Sequence, residues 1–323
     1  VAEAVLLHGH AAGFIVCGKM ARMLRTSALL AWGLISSACA ALPAPERVRF
    51  PAVVAEGAAP TAIDALYYRP ADAAPAEGRP AIVALHGCGG LYRTTKGGER
   101  ELTGRHRARA EALVAAGYAV LFPDSLGPRG IRELCTVRFA ERTLTAAARR
   151  GDALGALRWL AVQPGIAGDR IALVGWSHGA TTTLASIDAG DALVQAFRER
   201  PGAPAFFRAA VAFYPGCSVA ARSERWQPAS AVRILIGAAD DWTPAAPCEA
   251  LGVRARERGW PLETIVYPGA YHGFDAPGGQ VRLRTDVPNG VAPGKGVHVG
   301  ADPSARDDAN RRVDAFLRDA FAR

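Results

Sequence analysis

The chain has 323 residues, 50% hydrophobic and 21% charged, which supplies ample material for a sizeable core and excludes a disordered or fibrous protein. The formal net charge is +8, and nearly all the positive charge is arginine, since lysine occurs only at Lys19, Lys96 and Lys295. The arginines are scattered, without a basic run of five or six and without interleaved aromatics, which argues against a nucleic-acid partner.

The first 40 residues read as targeting sequence. Residues 1–19, upstream of Met20 and Met23, read as an over-long start rather than as part of the expected domain. Arg22 and Arg25 supply a positive start, Ser27–Ile35 a short apolar stretch, and Ala38-Cys39-Ala40 the small-x-small pattern of a signal-peptidase site. The expectation is a signal peptide over about residues 20–40, cleaved after Ala40, and a periplasmic or secreted product. The apolar stretch is short for a bilayer span, so no stable membrane insertion is expected after cleavage. Cys39 raises lipidation, but Ser36 stands where a lipobox prefers leucine.

From residue 41 on, a single domain is expected. Residues 46–70 read as antiparallel edge strands. Ala81–Leu85 is an apolar run entering His86-Gly-Cys-Gly-Gly, and residues 105–116 have helical spacing that stops at Gly117. Tyr118–Phe122 is a strand ended by Pro123, and 140–161 is a long Ala/Leu/Arg helix. Arg170–Val174 is a strand entering Gly175-Trp-Ser-His-Gly, followed by a helix to about Ala189. Strands at Ala209–Tyr214, Val232–Ile236 and Leu262–Tyr267, a helix over 246–258 and a closing helix over 305–321 complete the pattern. Residues 276–304, rich in Gly, Pro and Val without a period, read as a long loop. Strands alternating with helices predict an α/β fold with a mostly parallel twisted sheet covered by helices on both faces. The continuous apolar character of the strands fits burial on both sides.

Gly175-Trp176-Ser177-His178-Gly179 carries the chemistry. An apolar strand precedes it and a helical stretch follows, the context a nucleophile elbow requires. Ser177 is therefore the candidate nucleophile. A hydroxyl needs a base, and in this fold the order runs Ser, acid, His, which leaves His272 and His298. His272 directly follows a strand and its loop, where a carboxyl end would open onto the site, and is preferred. His298 lies inside the irregular loop. The acid should follow the strand ending at Ile236, where Asp240 and Asp241 both stand; spacing from Gly237 favours Asp240, with Asp241 the alternative. The backbone N–H groups of His178 and Cys88 are the candidate oxyanion donors. His86 reads as a buried, hydrogen-bonded loop histidine. No metal-ligand spacing, phosphate loop or dinucleotide pattern occurs, and no cofactor is expected.

Cys88, Cys135, Cys217 and Cys248 remain after residue 40. An even count in an exported protein suggests disulfides, and Cys88–Cys135 and Cys217–Cys248 each lie in loops that such a fold should bring together. Four buried free thiols are the alternative.

At Leu85-His-Gly-Cys-Gly-Gly, Asp124-Ser-Leu-Gly-Pro-Arg-Gly, Gly175-Trp-Ser-His-Gly, Phe213-Tyr-Pro-Gly-Cys, Gly237-Ala-Ala-Asp-Asp-Trp-Thr-Pro and Tyr271-His-Gly-Phe-Asp, the sequence resembles the dienelactone hydrolase family of the α/β-hydrolase superfamily, from about residue 60 to the C-terminus. The resemblance implies a Ser177–His272–Asp240 triad and a small-molecule ester or lactone substrate. Dienelactone hydrolases proper use a cysteine nucleophile, so serine at position 177 points to a general esterase. A peptidase of the prolyl-oligopeptidase type shares fold and triad order, but the chain shows no propeller repeats. A non-catalytic binding protein on the same scaffold is the third reading, and an intact Ser, Asp and His set argues against it.

Overall fold

The computed structural model describes residues 42–94 and 101–322; the expected leader over 1–40 lies outside them. The first two strands, β1 (Glu46–Pro51) and β2 (Ala62–Tyr68), pair antiparallel. β2 also runs antiparallel to β4 (Ala119–Asp124). From there the sheet is parallel through β3 (Arg79–Leu85), β5 (Ile166–Trp176), β6 (Ala209–Phe213), β7 (Ala231–Gly237) and β8 (Leu262–Tyr267). The order across the eight strands is β1-β2-β4-β3-β5-β6-β7-β8. The central strands are almost pure Ala, Val, Ile and Leu because both faces are covered, and every residue of Ile171–Trp176 and Ala209–Phe213 is buried.

Helices α1 (Gly104–Ala115), α2 (Arg150–Leu160), α3 (His178–Ser186), α4 (Ala192–Glu199), α5 (Ser218–Arg222), α6 (Ala246–Arg258) and α7 (Pro303–Phe321) fill the crossovers and the chain end. Their sequence marks are local. Thr103 and Asp302 cap α1 and α7 through side-chain oxygens, and α6 stops at Gly259, which sits in the left-handed region at φ 64°. The helix expected over 140–161 is shorter than its composition suggests. Thr145 Oγ1 accepts from Ala148 N–H at 3.1 Å, which makes a turn there, and Leu144 is drawn into a separate apolar cluster, so regular helix begins at Arg150. α4 is an element the sequence reading passed over. Asp191 caps it through Leu193 and Val194 N–H, and Val194 and Phe197 are its buried face.

The 276–304 segment is not structureless. β9 (Arg282–Arg284) and β10 (Val297–Val299) form a short antiparallel ribbon. A second apolar cluster, of Cys88, Leu126, Leu134, Cys135, Leu144, Trp242, Val287 and Val297, gathers loops from four regions of the chain above the carboxyl ends of the strands. Cys88–Cys135 staples it, and Cys217–Cys248 joins the loop after β6 to α6 (Cα separations 5.0 and 5.1 Å). Among the described residues no helix is long and apolar enough to cross a membrane.

Candidate active site

β5, β7 and β8 end at the same edge of the sheet, so the loops that follow them share one space. Ser177 leaves β5 with φ 53° and ψ −118°, a conformation that costs energy for any residue with a Cβ. The flanking glycines make that turn possible. A Cβ at Gly175 would strike the Gly179 carbonyl and the Thr183 hydroxyl, and one at Gly179 would strike the carbonyls of Leu85 and His86. The serine thus stands at the N-terminus of α3, where unpaired N–H groups and the helix dipole favour negative charge.

Ser177 Oγ lies 2.9 Å from His272 Nε2, and His272 Nδ1 lies 2.8 Å from Asp240 Oδ2. Asp240 and His272 are both buried. The remaining lone pairs of Asp240 are also used: Oδ1 accepts from the N–H groups of Trp242 (3.0 Å) and Thr243 (2.8 Å), and Oδ2 accepts from the Thr243 hydroxyl (3.0 Å). Four donors converging on one carboxylate fix its orientation. The loops themselves are laced together, with Ala238 N–H donating to Tyr267 and Ala239 N–H to Ala270. The His272 ring is sandwiched between Tyr214 and Trp242, at centroid distances of 4.6 and 4.7 Å.

Asp241 faces elsewhere. Its Oδ1 accepts from His298 N–H at 2.8 Å and its Oδ2 lies 2.7 Å from His298 Nδ1. Both alternatives left open in the sequence, Asp241 and His298, therefore pair with each other and tie β10 to the loop after β7. β10 in turn bridges to His272 through Val299, so the ribbon forms one wall of the site.

A further carboxylate braces the site. Asp275 accepts from Tyr214 Oη at 2.7 Å and Trp176 Nε1 at 2.8 Å and forms an ion pair with the Arg105 guanidinium at 2.9 Å, linking the His272 loop to β5, the end of β6 and α1. Burial drives the Tyr214 phenol well above its ordinary pKa, so it donates to Asp275 as a neutral hydroxyl. The motif Tyr271-His-Gly-Phe-Asp held Asp275 in view, but nothing in the sequence tied it to Trp176 and Tyr214. Thr243 and Trp242 escaped notice for the same reason.

The two candidate oxyanion donors stand on either side of Ser177 in the chain order of the site. His178 is the first residue of α3. Cys88 lies in the loop after β3, where its carbonyl accepts from Leu134 N–H at 2.8 Å and its own N–H has no partner among the described residues. His86 is fully buried, with Nε2 accepting from Ser125 N–H at 3.2 Å and Nδ1 donating to the Gly87 carbonyl at 2.8 Å. Burial and the nearby Arg149 charge push its pKa well below the usual histidine range.

A cavity of about 310 Å³ opens at Ser177. Its floor is Gly87, Cys88 and Ser177, Trp176, Tyr214 and Trp242 supply aromatic wall, and Arg105, Arg282 and Arg284 supply positive charge. Among the described residues no group of three or more His, Cys, Asp or Glu side chains is placed to hold a metal ion.

A mostly parallel sheet of this order, with a serine on a strained strand-to-helix turn, defines the α/β-hydrolase class. The dienelactone hydrolase family model matches residues 63–321, and the chain belongs to that family and is a hydrolase acting on ester bonds. No curated protein matches the chain. Solved structures do. Esterase 2 of Thermogutta terrifontis, phosphorylated by paraoxon, is 20% identical with a TM-score of 0.57, over 87% of this chain and 96% of that one. A Klebsiella pneumoniae protein assigned as a dienelactone hydrolase is 18% identical with a TM-score of 0.56, over 85% and 99%. A dienelactone hydrolase-like promiscuous phosphotriesterase from metagenomic libraries is 19% identical with a TM-score of 0.53, over 86% and 100%. The two disulfides point to an oxidising, non-cytoplasmic location.

Proposed function

We propose that the protein is a serine carboxylesterase acting through Ser177, His272 and Asp240 on a small-molecule ester or lactone. The observation that carries this reading is the unbroken hydrogen-bonded chain from Ser177 Oγ through His272 to Asp240, opening on a cavity of about 310 Å³. Ser177 Oγ attacks the acyl carbon while His272 Nε2 takes its proton. Asp240 holds the imidazole in the tautomer with Nδ1 protonated and stabilises the imidazolium that forms. The N–H groups of Cys88 and His178 receive the negative charge on the carbonyl oxygen. His272 then gives its proton to the leaving alcohol, an acyl-Ser177 ester remains, and water activated by His272 releases the acid. No cofactor enters the sequence of steps.

The cavity wall favours an ester that carries negative charge. Arg105 is compensated by Asp275 and Arg284 by Asp286, while Arg282 pairs with no carboxylate among the described residues. Electrostatic attraction of this kind chiefly raises the productive encounter rate and falls with salt. The chain is read as one catalytic domain from residue 41 on, exported by a leader ending at Ala40 to the periplasm or the medium.

The test is steady-state hydrolysis of p-nitrophenyl acetate, butyrate and hemisuccinate by the wild type and by Ser177→Ala. Turnover with the wild type and a loss of about 10⁴-fold or more in Ser177→Ala is the expected result. Undiminished turnover in Ser177→Ala would refute the assignment. N-terminal sequencing of the exported protein should begin at Ala41.

A further inference from the structure

Arg149 lies just before α2 and is fully buried, though it touches neither the Ser177–His272–Asp240 chain nor the cavity. Its Nη1 donates to His178 Nδ1 at 2.8 Å, and its Nη2 donates to the His86 carbonyl at 3.0 Å. No carboxylate among the described residues lies within 4.0 Å of it. The acids in its neighbourhood are engaged elsewhere. Asp152 holds Arg129 in a two-pronged pair at 2.8 and 2.9 Å, and Asp124 accepts from the N–H groups of Leu126 and Gly127. Burying a guanidinium without an ion-pair partner is costly, and a well-packed apolar side chain would serve stability better at that position. Burial lowers its pKa to about 10, which still leaves it charged at neutral pH.

The two groups it grips are the informative part. His178 supplies one candidate oxyanion N–H from its own backbone, and the His86 carbonyl begins the Gly87-Cys88 segment that supplies the other. α3 and the loop after β3 come from different parts of the chain, and one side chain spans both. We propose that Arg149 is a positioning residue that clamps the two arms of the oxyanion hole, holding the backbone N–H groups of His178 and Cys88 convergent and placing a fixed positive charge behind them. The proposal rests on the esterase reading above.

A guanidinium can only donate, so His178 Nδ1 must be the acceptor and a neutral His178 carries its proton on Nε2. Burial and the charges of Arg149 and Arg142 oppose protonation of that ring, so this tautomer persists below neutral pH. A preorganised donor pair acts on the transition state more than on the ground state.

The test compares the wild-type full chain with Arg149→Met and Arg149→Lys in hydrolysis of p-nitrophenyl butyrate and in inhibition by an aryl trifluoromethyl ketone, whose hemiketal oxyanion mimics the tetrahedral intermediate. Arg149→Met is expected to lower kcat by about 10²-fold with KM within about threefold, and to weaken the ketone by a similar factor. Arg149→Lys should recover part of the loss, since one ammonium can reach one of the two acceptors. A folded Arg149→Met protein with kcat within about threefold of wild type, or with a rise in KM alone, would overturn the proposal. If Arg149→Met does not fold, nitrogen-15 spectra of wild-type His178 decide: an unprotonated, accepting Nδ1 unchanged from pH 8 to pH 5 is expected, and a titrating ring or a protonated Nδ1 would overturn the clamp. Those spectra do not depend on turnover. A wild type without turnover or probe labelling would count against the esterase reading alone.

Discussion

Asp240 and Asp241 are neighbours in sequence with separate partners, and that separation yields the sharpest residue-level prediction. Asp240→Asn should lower kcat by about 10⁴-fold, because the amide cannot hold His272 in the working tautomer. Asp241→Asn should leave kcat within about threefold, since Asp241 contacts His298 rather than His272. Kinetics of the two variants on one ester would check this. Three buried histidines make a second prediction. Desolvation lowers His106 to about 3 and pushes His86 and His178 well below the ordinary value. Each folded-state pKa lies below the unfolded value near 6.5, so below that pH the unfolded chain binds protons the native state does not. Stability should be full above about pH 7 and fall as pH drops through 6.5, all three histidines acting in the same direction, with the His106 contribution lost over the range down to about pH 3. Urea unfolding at pH 7.5, 6.0 and 5.0 measures it, and a flat profile would contradict it. The sequence made Ser177, His272 and Asp240 readable as candidates because strand, turn and chain order mark them. Arg149 was not readable, since it sits in an arginine- and alanine-rich stretch that looks like any exposed helix face, and its partners on α3 and in the loop after β3 are distant in sequence.

Among the elements, the strands were legible because burial on both faces leaves continuous apolar runs, as in Ile171–Val174 and Ala209–Phe213. The β9–β10 ribbon was not. Its strands are three residues each, too short for a period to register, and they are held by contacts distant in sequence. Asp241 supplies the main polar tie, through both the backbone and the ring of His298. The pair is partly exposed, so its contribution to global stability is small. Its loss should instead loosen the ribbon locally. Asp241→Ala is expected to speed amide exchange over residues 282–299 and to raise KM a few-fold, because Arg282, Arg284 and Val299 line the cavity. Exchange and KM both unchanged would show that the second apolar cluster alone fixes the ribbon.

At the scale of the whole molecule, the sheet presents three loops at one edge and two disulfides tie the surrounding loops down. Cys88–Cys135 closes a loop of 47 residues from the proposed oxyanion arm, and Cys217–Cys248 one of 31 residues beside α6. Reduction of both should cost several kcal/mol, about 2–4 for each bridge, and should lower ester turnover through the loss of the first. Unfolding curves and activity with and without dithiothreitol, and in Cys217→Ala/Cys248→Ala, separate the two effects: that variant should lose stability and keep kcat. The most direct measurement is covalent. The folded full chain, incubated with a fluorophosphonate probe and analysed by intact mass and peptide mapping, should carry a single adduct on Ser177 that is absent from Ser177→Ala and slow to form in His272→Ala. No adduct, or an adduct on another residue, would contradict a nucleophilic serine at this site.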